Sequence, residues 1–227
     1  AGMKVRAGSE RARRSQRMVV ELLLADAPGG GRSEDSELRR WAAALGVSQP
    51  RFAPREQPAA DFSHPAMAVL LDACIQCGRC TRACREEQAN DVIGYAWRGD
   101  AARIVFDQGD PMGASSCVGC GECVQACPTG ALLPRRLDAR ANVAEAGATT
   151  GARAGATTGV LAVVAGPGER QVDSLCPFCG VGCQLRWQIE GEQIVRTDGR
   201  DGPANRGRLC VKGRFGFDYV ASPDRLT

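Results

Sequence analysis

The chain is 227 residues long, has a formal charge of +3 and contains twelve cysteines. That density lies below the roughly 8–10% of a disulfide-stapled secreted scaffold and far above ordinary usage. Aromatics at 5% exclude a large aromatic core. No run of about 18 apolar residues exists to cross a membrane. At about 150 residues per domain, the length allows one or two domains, or several very small ones. Only Lys4 and Lys212 are lysines among 29 cations, and His64 is the one histidine, which leaves little room for histidine-based chemistry.

In chain order, residues 9–25 are predicted to form a helix capped by Ser9, with Met18, Val19, Leu22 and Leu23 at helical spacing. Arg13-Arg14 ahead of Met18-Val19-Val20 has the look of an export signal. Glu21 and Asp26 break that apolar stretch, so the reading is an amphipathic helix and a cytoplasmic protein. In that compartment cysteines bind metal more readily than they pair as disulfides. Residues 27–31 end the helix. A second is predicted from Ser33 as N-cap to Leu45, with Leu38, Trp41 and Leu45 on one face and Gly46 as its stop. Pro50, Pro54, Pro58 and Pro65 then keep the chain extended as a strap.

The cysteines are clustered. None precedes residue 74, eight fall in 74–127, and four in 176–210. The first group is Cys74-x2-Cys77-x2-Cys80-x3-Cys84; the second is Cys117-x2-Cys120-x2-Cys123-x3-Cys127, followed by Pro128. Each cysteine of the second stands 43 positions after its counterpart in the first, an internal repeat. The spacing is that of the bacterial two-cluster ferredoxin, in which the fourth cysteine of each run ligates the other cluster. One cluster is therefore expected on Cys74, Cys77, Cys80 and Cys127, and the other on Cys117, Cys120, Cys123 and Cys84. The fourth cysteine is expected to start a helix, with Arg85, where the second run has Pro128, leaving the first of those starts open. Residues 92–97 and 102–106, flanking Arg98-Gly99-Asp100, read as a hairpin inserted between the two groups.

Residues 139–171 are low in complexity, with Gly-Ala-Thr-Thr-Gly at 147–151 and again at 155–159, and read as a linker. A second hairpin is predicted from Leu185, Trp187 and Ile189, turning at Glu190-Gly191-Glu192 and returning through Ile194 and Val195. It interrupts the third group, Cys176-x2-Cys179-x3-Cys183-x26-Cys210. On spacing alone four thiolates hold one metal site there, and zinc rivals iron–sulfur.

Two segments carry a family resemblance. Residues 117–130 resemble the ferredoxin-like domains of multi-subunit redox enzymes. Residues 172–227, with Cys176-Pro-Phe-Cys179-Gly-Val-Gly-Cys183 and Cys210-Val-Lys212-Gly-Arg214, resemble the N-terminal iron–sulfur domain of molybdenum or tungsten oxidoreductases that carry bis-molybdopterin guanine dinucleotide. The likeness is greatest to the alpha subunit of cytoplasmic, NAD-linked formate dehydrogenases, and it runs through residues 9–227. It implies a third [4Fe-4S] cluster on Cys176, Cys179, Cys183 and Cys210. It implies that Lys212 lies between that cluster and the pterin and couples them. It implies an adjoining pterin domain after the phrase Ser222-Pro-Asp-Arg-Leu-Thr227, holding molybdenum or tungsten. It implies a flavin- and iron–sulfur-containing diaphorase (beta) subunit as electron acceptor. Respiratory nitrate reductases of this family have histidine where Cys176 stands. The family's upstream histidine- and cysteine-ligated cluster has no cysteines here, so its helical scaffold would survive as residues 9–46, with His64 a structural or capping residue.

The expected fold class is α+β. A helical segment and strap (1–60) precedes a two-[4Fe-4S] ferredoxin-like domain (61–138), the linker (139–171) and a small β-hairpin [4Fe-4S] domain (172–227). The expected function is electron transfer within a formate dehydrogenase, in a segment that lacks the catalytic domain. An iron–sulfur arm of a complex I-like or NAD-linked hydrogenase assembly is the alternative, and a zinc-dependent nucleic-acid module a weaker one. No nucleic acid and no membrane span are expected. Each oxidised cube with its four thiolates carries about −2, so three would turn the formal charge of +3 into about −3.

Overall fold

The computed structural model describes residues 2–33, 36–135 and 169–225. The predicted linker falls largely outside the described residues. Short helices and three small antiparallel sheets make up the rest.

Helix α1 (Glu10–Asp26) begins where expected, with the Ser9 hydroxyl accepting from the Ala12 N–H. Its buried face differs from the predicted one. Val20, Leu24 and Ala25 face inward, whereas Met18, Val19 and Leu22 are exposed. Glu21 is buried with them because Arg51, arriving from the strap, pairs with its carboxylate at 2.6 Å. Helix α2 (Glu37–Leu45) starts later than predicted, with Ser36 and not Ser33 at its N-cap. Gly46 ends it in the left-handed conformation, as a C-terminal stop requires. Leu38 and Ala42 pack against α1, while Trp41 is exposed.

The stretch ahead of α2 clamps onto the ferredoxin-like unit. Arg32 and Ser33 N–H groups donate to the Thr129 carbonyl, and the Glu37 N–H donates to the Pro128 carbonyl at 2.8 Å. Arg79 forks onto the Glu37 carboxylate at 2.6 and 2.9 Å. Gly31 has φ +100°, and a Cβ there would lie 2.4 Å from the Thr129 carbonyl oxygen. Only glycine allows that approach.

Strand β1 (Met67–Val69) pairs with β4 (Leu132–Pro134), so the entry and exit of the ferredoxin-like unit are tied together. Between them, β2 (Ile93–Ala96) and β3 (Arg103–Phe106) form the predicted hairpin. Their inward residues Ile93, Ile104 and Phe106 share one core with Met67, Met112, Val124 and Leu132, and with Cys80, Cys84 and Cys123.

The third sheet holds three strands, one more than expected. β6 (Gln184–Glu190) and β7 (Gln193–Gly199) form the predicted hairpin, and β5 (Glu169–Leu175) pairs with β6 along its whole length. β5 therefore begins inside the segment read as linker. Leu185 and Leu209 pack with Cys176 at the centre of this unit.

Candidate metal centres

None of the twelve cysteines is joined in a disulfide. The short helices α3 (Arg79–Arg82) and α4 (Glu122–Ala126) follow each triplet loop and bury Cys80 and Cys123. The expected helix start at the fourth cysteine is corrected by the structure. Cys84 lies within a wide π turn (Ala83–Glu87) that continues α3, whereas Cys127 is the C-cap of α4 with extended backbone. Pro128 explains the difference. A residue before proline is pushed out of the helical region, while Arg85 lets the first helix run on.

The thiols gather as three nests. Around Cys80 stand Cys127, Cys74 and Cys77; burial and these neighbours push its thiol up to about 12. Around Cys123 stand Cys80, Cys117, Cys120 and Cys84; burial first, and then these neighbours, raise its thiol. Around Cys183 stand Cys176, Cys179 and Cys210, and burial with their proximity raises it too. The fourth cysteine of each repeat thus sits with the other repeat's triplet. The Cys80 and Cys123 thiols, raised in this way, keep their protons until a metal replaces them, and metal binding to thiols releases protons. Among the described residues, no three His, Cys, Asp or Glu side chains converge tightly enough to hold a single ion.

Backbone donors repeat with the sequence. The Gln76 N–H points to Cys74 Sγ at 3.4 Å, and its counterpart 43 positions on, the Gly119 N–H, points to Cys117 Sγ at 3.5 Å. The Val92 N–H points to Cys84 Sγ at 3.4 Å. Tyr95 closes one side of the first nest, its hydroxyl donating to the Gln76 carbonyl at 2.8 Å.

Burial grades across the nests. Cys77 is exposed in the first, and Cys179 and Cys210 in the third. Cys210 caps α5 (Val211–Phe215), on whose first turn Lys212 is exposed. Leu175, Phe178, Val181, Val211 and Tyr219 stand exposed in the same unit.

Two further residues support these loops, of which Asp61 was not singled out by the sequence. Asp61 accepts from the Met112 N–H at 2.7 Å and the Ser63 N–H at 2.8 Å. Burial would lift its carboxyl, but these bonds and the Ser63 hydroxyl outweigh burial and hold it below the usual carboxylate range. His64 is buried, its Nδ1 accepting from the Ala66 N–H at 3.1 Å. The sequence had assigned it a structural or capping role, and its ring edge lies against Gly119 in the second triplet loop. Asp61→Ala leaves two N–H groups without their acceptor. It is expected to cost about 1–3 kcal/mol, read by denaturant unfolding. Because its folded pKa is depressed, Asp61's contribution is complete above the ordinary carboxylate range and is lost as pH falls through the lowered folded value.

The third unit rests on α4. Arg208 pairs with Glu122 at 3.0 Å and Glu87 at 3.4 Å, and the Leu209 N–H donates to Gln125 Oε1 at 3.3 Å.

Residues 73–131 match the 4Fe-4S dicluster domain, and residues 169–222 match the molybdopterin oxidoreductase Fe4S4 domain. The Bacillus subtilis protein YrhE, provisionally named a formate dehydrogenase, is 32% identical over 215 residues, which cover 84% of this chain and 21% of that protein. The alpha subunit of an NADPH-Fe(3+) oxidoreductase of Geobacter sulfurreducens is 30% identical over 230 residues, covering 99% of this chain and 24% of the relative. The chain thus spans about a fifth to a quarter of the length of these relatives. A solved chain of an NAD+-reducing [NiFe]-hydrogenase in its H2-reduced state superposes with a TM-score of 0.51 at 29% identity, over 56% of each chain. With a dicluster domain followed by a molybdopterin-type Fe4S4 domain, the chain belongs to the molybdopterin oxidoreductases, as an iron–sulfur portion.

Proposed function

We propose that this chain is the electron-transfer segment of a formate dehydrogenase alpha subunit. It would connect a molybdenum- or tungsten-bis-molybdopterin guanine dinucleotide centre in the adjoining domain to a flavin-containing diaphorase that reduces NAD. When bound, three [4Fe-4S] clusters supply one-electron carriers at fixed positions. Cys74, Cys77, Cys80 and Cys127 would hold one; Cys117, Cys120, Cys123 and Cys84 the second; Cys176, Cys179, Cys183 and Cys210 the third.

The observation that carries the reading is the crossed gathering of thiols, with Cys127 beside the first triplet and Cys84 beside the second. The docking of Arg208 and Leu209 on α4 supports the order third, second, first cluster. The exposed Cys77 supports the first cluster as the exit. Exposed apolar side chains around Cys179, Cys210 and Lys212 support that face as the seat of the pterin domain, because large exposed apolar patches mark contact surfaces. Lys212, compact and flexible where arginine is planar, would reach across it.

A second reading, an iron–sulfur arm of an NAD-linked hydrogenase or complex I-like assembly, draws support from the hydrogenase likeness. The molybdopterin-type match at 169–222 favours the first. Anaerobic mixing of the whole enzyme separates them. Formate is expected to bleach the cluster absorbance and hydrogen to leave it unchanged; bleaching by hydrogen alone would overturn the formate reading. Lys212→Ala is expected to slow formate-driven bleaching about tenfold or more, with iron content and dithionite reduction unchanged. An unaltered rate would remove Lys212 from the path.

A further inference from the structure

We propose that Arg214 is the polar joint between the third unit and the second cysteine nest, and that its guanidinium raises the reduction potential of the cluster held there. The inference rests on the ligand assignment above.

Arg214 is 7% exposed, on α5, four residues after Cys210. Its Nη2 donates to the Gln125 side-chain oxygen and to the Leu209 carbonyl at 2.7 Å. One end of the guanidinium is therefore spent joining α5 to α4. Nε lies on the other side, buried and with no hydrogen-bond acceptor among the described residues. Its position is fixed by Gly121, which stands between Cys120 and Cys123. A Cβ on Gly121 would lie 2.7 Å from both Cδ and Nε of Arg214. With φ +77°, Gly121 is suited to leave that space.

A buried cation without a matched anion is costly. The anionic groups that act on Arg214 are Glu122, Cys123, Cys120 and Asp198. Glu122 is already engaged by Arg208 and Gln125, and Asp198 by Arg196 and Gln188. That leaves the sulfurs of Cys120 and Cys123, near enough to act on the guanidinium, as the unclaimed anions around it. They are ionised when they hold a cluster. Reduction adds one negative charge to that cluster, and a fixed cation in a low-dielectric setting favours the more negative form. Net charge and hydrogen bonds to sulfur are the terms by which a protein sets such potentials. The third unit thus brings, with its own cluster, the charge that makes its neighbour a better acceptor.

The test is an EPR-monitored redox titration of the whole protein, with iron counted in every variant. The second cluster's signal is identified by its loss in Cys117→Ala. In Arg214→Gln its midpoint is expected to fall enough to cut the reduced-to-oxidised ratio at fixed potential about tenfold, which for one electron is about 59 mV. The first cluster is expected to stay in place. Arg214→Lys, which keeps the charge, should recover most of the fall. An unmoved second cluster in a fully iron-loaded Arg214→Gln overturns the inference, as does an equal fall in Arg214→Lys. If Arg214→Gln loses iron, Arg214→Met is titrated in its place: a fall in the same cluster supports the role, and an unmoved midpoint overturns it. Fewer than three clusters in the unaltered protein would instead count against the ligand assignment.

Discussion

Replacing Cys84 by alanine is expected to abolish the cluster built by the second triplet and to spare the one built by its own. In sequence Cys84 belongs with Cys74, Cys77 and Cys80. In space it stands with Cys117, Cys120 and Cys123, and its sulfur receives the Val92 N–H. Iron should fall from about twelve atoms per chain to about eight, one cube of four being lost. The EPR signal lost should be the one that Cys117→Ala also removes. Cys127→Ala should give the mirror result, removing the signal that depends on Cys74. If Cys84→Ala and Cys74→Ala removed the same signal, each run would serve its own cluster and the crossed arrangement would be wrong.

Stripping the iron is expected to unfold the ferredoxin-like unit outright. Its sheets are pairs of strands of three or four residues, and two-stranded ribbons are marginal by themselves. Its core includes Cys80, Cys84 and Cys123, so the metal sites and the apolar interior are one structure. Structural zinc in small domains contributes about 10–16 kcal/mol, whereas whole domains are stable by only about 5–15 kcal/mol. Removing a contribution of that size leaves nothing to hold the unit. Chelation in air should therefore abolish the cooperative thermal transition and most of the far-ultraviolet circular dichroism. α1 should fray as well, since a 17-residue helix is marginal in water and its anchor runs through 128–130. A stripped protein that still melted cooperatively with native dichroism would contradict this.

The cysteine pattern was legible because ligand loops are short and their spacing is set by the metal core. Ser9, Gly46 and both hairpins were legible because caps and turns depend on local backbone chemistry. The inward face of α1 was not. Met18 and Leu22 are as apolar as Val20 and Leu24, and the choice is made by α2 and by Arg51, which reaches Glu21 from 30 residues away. Strand β5 escaped because Glu169–Leu175 has only two strongly apolar residues and gains its place by pairing with β6. The joint at Gln125, Arg208 and Arg214 escaped for a similar reason. Its partners are more than 80 residues apart, and no local pattern marks an arginine as buried.

The central claim is that twelve thiols hold three cubes. Iron and acid-labile sulfide counted per chain in anaerobically purified protein test it most directly. About twelve of each, in a brown protein, is the expected result. A colourless protein with stoichiometric zinc, or one whose iron stops at about eight, would contradict it.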